Sequence, residues 1–409
     1  MVGRGTCPSD PGKQKTLVPR MKVAWIVMEQ QVVAYLKEKE SEMVEVLKGL
    51  VEIESPSHDK EAVDQVGEQV QQLYKKYVGG SIQKFDNEHF GDHFRCEFGK
   101  GGEQILILAH MDTVWPKGTL EELPFRIDGD MLFGPGSFDM KGGIVQGLFA
   151  VNALKALNVP LKTKVVMLFT SDEEIGSESS RDLIEAEAKK SKYVLVLESA
   201  AASTQGKLKT SRKGVGMFTI KVQGRAAHSG IEPEKGISAI EELARQTIYL
   251  HGLTDFEKGT TLNIGLVKGG SASNVVAAEA EAELDLRVKN NAEFERVIPL
   301  IQGIKPTKEG LTVEVTGGIN RPVMEKTPEI SKMFETAKDI AKEHLGFELE
   351  EQASGGGSDG SFASQFAPTL DGLGPVGDGA HASNEHLLIS QMPVRSALVA
   401  LLISKLANE

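Results

Sequence analysis

The sequence predicts an α/β protein with a mostly parallel central sheet and an inserted α+β unit of the ferredoxin-like type. The unbroken apolar run Ile105–Ala109, ILILA, fits a strand buried on both faces by helices. Apolar runs of strand length alternate with helical periods over most of the chain, the pattern of a covered parallel sheet. Near Lys213 the pattern changes, and strand and helix signals follow in the order β-α-β-β-α-β. A chain of 409 residues with 40% apolar content exceeds one ordinary core, so two domains are expected.

Taken in order, residues 1–28 carry positive charge and one short apolar patch, Val23–Met28, too short to span a membrane and followed by no small-residue cleavage site. They read as a disordered extension. Helical periodicity runs from Gln30 to the stop at Ser55-Pro56-Ser57 and resumes in KEAVDQVGEQVQQLYKKYV. Short strands are expected around Ile82 and Phe94, then the ILILA strand ending at His110, and a helix from beyond Asp139 to about Leu157. The strand Val165–Phe169, the loop TSDEEIGS, the helix SSRDLIEAEAKK and the strand VLVL before Glu198 follow. In the insertion, GMFTIKVQG, TLNIGLV, AEAELDLRV and LTVEVTGG read as strands, and ISAIEELARQTIYL and AEFERVIPLIQGI as helices. After Arg321-Pro322 a helix-rich pattern returns. The expected division is a catalytic domain of residues 29–212 and 321–409 interrupted by residues 213–320.

With 46 basic against 58 acidic residues the net charge is -12, and no basic stripe is interleaved with aromatics, so neither nucleic acid nor membrane is an expected partner. Cys7 and Cys96 are far apart and lack metal-ligand spacing. That pattern points to a reducing compartment, by default the cytoplasm, and leaves histidine and carboxylate to hold any metal.

Polar groups stand just past strand ends or glycine-rich bends in four places: His110 with Asp112, Asp139 in GPGSFDMKGG, the trio Asp172-Glu173-Glu174, and Glu198. A fifth, GDGAHASNEH, supplies His381 and His386 from the far flank. Ligands of open α/β sheets bind beyond the carboxyl ends of strands. Two histidines and three carboxylates there suit a pair of divalent ions, and Asp139, Glu174 and Glu198 balance two zinc ions once a hydroxide is added. Singly, each residue has a plainer role: a strand-end histidine is more often structural, and Asp172 reads equally well as a cap for the following helix. Five such groups at consecutive strand ends favour the metal site.

The motifs HMDTV, GPGSFDMKGG, TSDEEIGS, the Glu198 strand end, GRAAHSG and GDGAHASNE occur in this order. Together they resemble the dinuclear zinc exopeptidase and amidohydrolase family of glutamate carboxypeptidase, acetylornithine deacetylase, succinyl-diaminopimelate desuccinylase and aminoacylase, and most of all the folate-cleaving glutamate carboxypeptidases. The resemblance covers nearly all of the chain from about residue 30. It implies a zinc-exopeptidase-like catalytic domain with a lid and dimerisation domain, a homodimer through that lid, and two zinc ions per chain, with cobalt or manganese as substitutes. His110, Glu198 and a bridging Asp139 would hold one ion, and Glu174, His381 and Asp139 the other. Glu173 becomes the general base, and Asp112 the carboxylate that orients the His110 imidazole. A cis peptide follows the bridging residue, here Asp139-Met140. His228 in GRAAHSG would reach the neighbouring subunit's site to stabilise an oxyanion; the resemblance does not implicate His386.

An exopeptidase must also bind a free carboxylate, which a guanidinium fork holds best. The resemblance places Arg287, Arg321, Lys207 and Asn274 around a bound acidic residue, with Arg287 on its α-carboxylate and Arg321 on its side chain. SGGGSDG, around Gly356, offers backbone N–H groups as an anion nest. The expected activity is a zinc-dependent carboxypeptidase that releases a C-terminal residue, glutamate first, from a small peptide or N-acyl substrate. The alternatives are an N-acyl amino acid deacylase or dipeptidase with the same centre and, more remotely, a non-catalytic ligand-binding homologue, against which the intact Glu173 speaks.

Overall fold

A computed structural model describes residues 17–409; Cys7 and the rest of residues 1–16 lie outside the described residues. The chain opens with helices α1 (Leu17–Glu38), α2 (Glu40–Val51) and α3 (Lys60–Tyr77). Within the extension expected to residue 28, α1 begins at Leu17. Pro19 stands in the first turn, where its missing N–H has no intrahelical acceptor to lose, and no glycine interrupts the segment after it. α3 starts at Asp59, whose side chain accepts the Ala62 N–H at 3.1 Å.

Strands β1 (Ser81–Phe85), β2 (His93–Phe98) and β3 (Gln104–His110) are followed by α4 (Gly142–Ala156), β4 (Lys164–Thr170), α5 (Arg181–Ala188) and β5 (Ser191–Val196). With the two-residue strand β10 (Thr369–Leu370) of the far flank they form one six-stranded sheet in the order β1-β2-β4-β3-β5-β10. β4, β3, β5 and β10 are parallel; the β1-β2 hairpin adds an antiparallel edge. Every residue of β3 is buried. Ile105 and Ile107 join the core beneath α4 and the C-terminal helix, while Leu106 and Leu108 join a second core beneath α5, which is why the run has no polar phase. Gly143 lets α4 reach the end of β5: a Cβ there would stand 2.1 Å from the Leu197 carbonyl oxygen.

The insertion runs β6 (Gly214–Gln223), α6 (Ala239–His251), β7 (Thr261–Gly269), β8 (Glu279–Val288), α7 (Asn291–Gln302) and β9 (Thr312–Arg321). Its antiparallel sheet has the order β7-β8-β6-β9, the ferredoxin-like arrangement. β8 alternates cleanly: Ala280, Ala282, Leu284, Leu286 and Val288 pack under Leu243, Leu250, Phe294, Val297 and Ile301 of the two helices, a core separate from those of the large sheet. Glu279, Glu281, Glu283, Asp285 and Arg287 occupy the other face.

The last flank holds α8 (Pro328–Ile340) and α9 (Gln391–Leu406). It also holds short strands the periodicity does not show. Glu351–Ser354 pairs in parallel with Leu208–Arg212, and Gly377–Asp378 and His386–Leu388 complete a small sheet with Arg126–Asp128 and Met131–Phe133. Two- to four-residue strands carry no readable period, and long-range pairing alone defines them. No helix among the described residues is long and apolar enough to cross a membrane. Cys96 is buried, which pushes its thiol up to about 12.

Candidate metal centre

Parallel strands deliver their C-terminal ends to one edge of the sheet, and that edge gathers the site. β3 ends at His110, β4 leads into Asp172-Glu173-Glu174, and β5 leads to Glu198. Asp139 comes from the turn before α4, and its peptide to Met140 is cis. His381 comes from the loop before α9, with φ 61°, in the left-handed region that side chains rarely adopt.

Nε2 of His110 lies 3.3 Å from Asp139 Oδ1 and 3.5 Å from Glu198 Oε1. Nε2 of His381 lies 3.4 Å from Asp139 Oδ2 and 3.2 Å from Glu174 Oε2. Asp139 thus stands between the two imidazoles, one oxygen toward each. The ligand-capable atoms of His110, Asp139 and Glu174 all lie within 4.8 Å of one another, as do those of His110, Glu173 and Glu198.

His110 Nε2, Asp139 Oδ1 and Glu174 Oε1 are buried and make no hydrogen bond. Buried polar atoms without partners are costly, and here their lone pairs converge, as they do around a cation. The donor set of imidazole and carboxylate, with no thiolate, fits zinc or another borderline divalent ion. Burial pushes Glu174 up to about 7, and the neighbouring Asp139 and Glu174 carboxylates raise His381 to about 10.

Asp112 braces this arrangement. His110 Nδ1 is 3.4 Å from its Oδ1 and 3.0 Å from its backbone carbonyl. Its carboxylate also accepts the Glu173 N–H at 3.2 Å, the Glu174 N–H at 3.1 Å and the Ser57 hydroxyl at 2.7 Å. One side chain therefore orients an imidazole and the two glutamates opposite it. Asp172 does not face the site: it accepts the Ser179 N–H at 2.7 Å and the Ser180 N–H at 3.3 Å, capping the approach to α5.

The predicted substrate residues are placed differently. Arg321 is only 5% exposed and fully engaged: it donates to the Glu173 carboxylate at 2.9 Å, the Glu173 carbonyl at 2.7 Å, Ser177 Oγ at 3.0 Å and Asp359 at 3.2 Å. The Arg321 guanidinium, expected on a substrate side chain, is engaged here by Glu173 and Asp359. Lys207 pairs with Glu350 at 2.7 Å, and Arg287 forms a two-pronged pair with Asp285 at 2.8 Å on each prong. His228 is exposed on the β6–α6 loop, its Nδ1 accepting the Gly230 N–H at 3.1 Å, beside the exposed Asn274 across the His228–Val275 bridge. Gly356 gives its N–H to Ser354 Oγ and its carbonyl to Arg212, so the glycine run is already partly bonded.

Sequence reasoning missed several buried partners. Arg212 forms a bidentate pair with Asp371 at 2.7 and 2.8 Å, donates to the carbonyls of Gly356 and Gly357, and lies 3.8 Å from Glu198. Asp359 joins Arg321, Ser177 and Thr170. Glu385 grips the turn that carries Asp139. Asp359 and Glu385 lie inside motifs quoted above, but only their tertiary partners distinguish them from solvated acids.

Fold and site together define a metal-dependent exopeptidase or amidohydrolase. The chain belongs to peptidase family M20/M25/M40, whose model matches residues 106–405. It is 32% identical over 373 residues to carboxypeptidase G2 of Pseudomonas sp. (strain RS-16), covering 89% of each chain. It is 27% identical over 350 residues to a succinyl-diaminopimelate desuccinylase of Dechloromonas aromatica, covering 81% of this chain and 90% of that one. Among solved structures, a tripeptidase of Staphylococcus aureus superposes with a TM-score of 0.74 at 22% identity, over 90% of this chain and 99% of the other.

Proposed function

We propose that this M20 hydrolase is a carboxypeptidase that releases a C-terminal residue, glutamate preferred, from a small peptide or N-acyl substrate. The observation that carries the reaction is the position of Glu173: its carboxylate lies beside His110 and Glu198, anchored by Arg321. The carboxypeptidase reading is supported by the 32% identity to carboxypeptidase G2, and the glutamate preference by the motif resemblance to glutamate carboxypeptidases.

His110, Asp139 and Glu198 would hold one divalent ion and Asp139, Glu174 and His381 a second, zinc being the ion their donors suit best. Bound there, the ions supply Lewis acidity toward the scissile carbonyl and acidify water. Glu173 takes a proton from the attacking water and returns it to the leaving nitrogen as the C–N bond breaks, so the carboxylate is regenerated in each turnover. Burial drives its carboxyl well above the usual range; Arg321 opposes this and Glu198 adds to it. Arg321 also fixes the Glu173 side chain in place.

His228 and Asn274, exposed on the inserted domain, would complete the neighbouring subunit's site in a homodimer. The unpaired edge strand β7, with Leu266 and Val267 exposed at 56% and 59%, supports assembly through this domain. A panel of N-acyl-glutamates, N-acetyl amino acids and dipeptides, run with zinc and with chelator, tests the reading. Preference for N-acetyl substrates of apolar amino acids, or for unblocked dipeptides, would move the assignment to a deacylase or dipeptidase with the same centre, a class to which the desuccinylase relative also points.

A further inference from the structure

Glu385 is 3% exposed, and its carboxylate is saturated by four N–H donors. Oε1 accepts from the backbone of Phe138 at 2.9 Å and of Asp139 at 3.0 Å. Oε2 accepts from the backbone of Gly136 at 2.9 Å and from the Trp115 indole at 2.7 Å. The turn preceding α4 is thus wrapped around an anion supplied by the chain itself. Gly136 permits the wrapping, at φ 71° and with no room for a Cβ, which would meet Thr113 Cγ2 at 2.6 Å. All four bonds are spent on N–H groups, so Glu385 is neither a metal ligand nor a base. Its position in the chain matters more. It sits in the same short loop as His381, and that loop is tied on itself by the Glu385 N–H to Ala382 carbonyl bond at 2.9 Å and the Ala382 N–H to Gly379 carbonyl bond at 2.9 Å.

We infer that Glu385 is a positioning residue that sets the spacing between Asp139 and His381 and thereby forms the site for one ion of the pair. The loop carrying His381 and the turn carrying Asp139 come from opposite ends of the catalytic domain, and Glu385 clasps one to the other. The result is the 3.4 Å approach of His381 Nε2 to Asp139 Oδ2. This rests on the dinuclear reading proposed above. Glutamine at this position keeps one accepting oxygen but turns an amide N–H toward two N–H donors, so half of the clasp becomes repulsive without loss of volume.

The experiment is metal titration of natively folded protein, with cobalt absorption as the second readout. Wild type should bind two ions per chain. Glu385→Gln should bind one ion as wild type does and the other about 10–100-fold more weakly, the usual range for a partner behind the ligands, with the cobalt spectrum of that ion altered. Excess metal should then restore most of kcat, which a merely structural defect would not allow. Trp115→Phe, which removes one donor of four and keeps the carboxylate, should weaken the same ion by a smaller factor, and it decides the matter if Glu385→Gln does not fold. Wild-type affinity for both ions in the variants that fold, or an equal loss of both ions in step with thermal stability, would overturn the role. Fewer than two ions on wild type would overturn the dinuclear reading instead, and this inference with it.

Discussion

Arg321 donates to the Glu173 carboxylate at 2.9 Å and to the same residue's carbonyl at 2.7 Å, so one guanidinium holds both ends of the residue proposed as general base. We propose that an arginine so engaged serves the base. Arg321→Ala is therefore expected to lower kcat on every substrate alike, by a factor on the order of 10²–10⁴, the range for disabling acid–base catalysis. The pH profile should move as well. Arg321 holds the Glu173 carboxyl down against burial, so its loss raises that pKa and shifts the acidic limb of kcat/KM to higher pH. The variant also strands Glu173 and Asp359 beside each other, and breaking a buried pair costs about 3–5 kcal/mol of stability, readable by chemical denaturation. A loss confined to glutamyl substrates would return Arg321 to the substrate pocket.

Metal removal should abolish activity. The cluster offers imidazole and carboxylate only, and three of its buried atoms make no hydrogen bond, so stripping with a chelator should both inactivate and destabilise the chain. Zinc or cobalt should restore activity, and a ligand at 100 times its Kd adds about 2.7 kcal/mol of stability, visible as a rise in Tm. Full activity after exhaustive chelation would exclude the metal mechanism.

The two adjacent glutamates should separate cleanly. Glu173→Gln keeps the metal but cannot take the proton, so kcat should fall by orders of magnitude while KM changes little. Glu174→Gln should lose one of the two ions, because Glu174 faces His381 at 3.2 Å and has no alternative partner for its buried Oε1. Metal counts by mass spectrometry on both variants decide between the assignments, and the reverse pattern would exchange the two roles.

How much of this was legible in the chain depends on whether a residue's role is local. His110, Asp139, Glu173, Glu174 and Glu198 follow apolar runs or glycine bends, and parallel strands carry such positions to one edge, so pattern and chemistry coincide. The ferredoxin-like unit was legible because β6 and β8 alternate with period two over a covered face. The contacts of Arg321 were not legible, because a carboxylate-binding arginine and a carboxylate-anchoring arginine look the same until Glu173 and Asp359 are seen beside it. Glu385 and Arg212 were invisible for the same reason: their partners lie more than a hundred residues away. Short strands such as Thr369–Leu370 exist only as additions to an existing edge.

The last prediction concerns assembly. His228 is exposed, its ring nitrogen accepts a bond from its own loop, and no hydrogen bond or ion pair among the described residues joins it to the metal cluster of its own chain. We propose that it stabilises an oxyanion in a second subunit. The inserted domain has the surface for this: β7 is an unpaired edge strand with Leu266 and Val267 exposed, and Ile248 and Tyr249 of α6 are exposed at 76% and 47%. A double change of Leu266 and Val267 to lysine places charge along that edge, which opposes strand addition without touching either core. Sedimentation should then show monomers, and kcat should fall as far as it does in His228→Ala. Mixing His228→Ala with Glu173→Gln chains should recover activity, because one hybrid site in each dimer combines an intact Glu173 with an intact His228 from its neighbour. Monomers that retain full kcat, or mixtures that recover nothing, would confine catalysis to the single chain and leave His228 without a role in it.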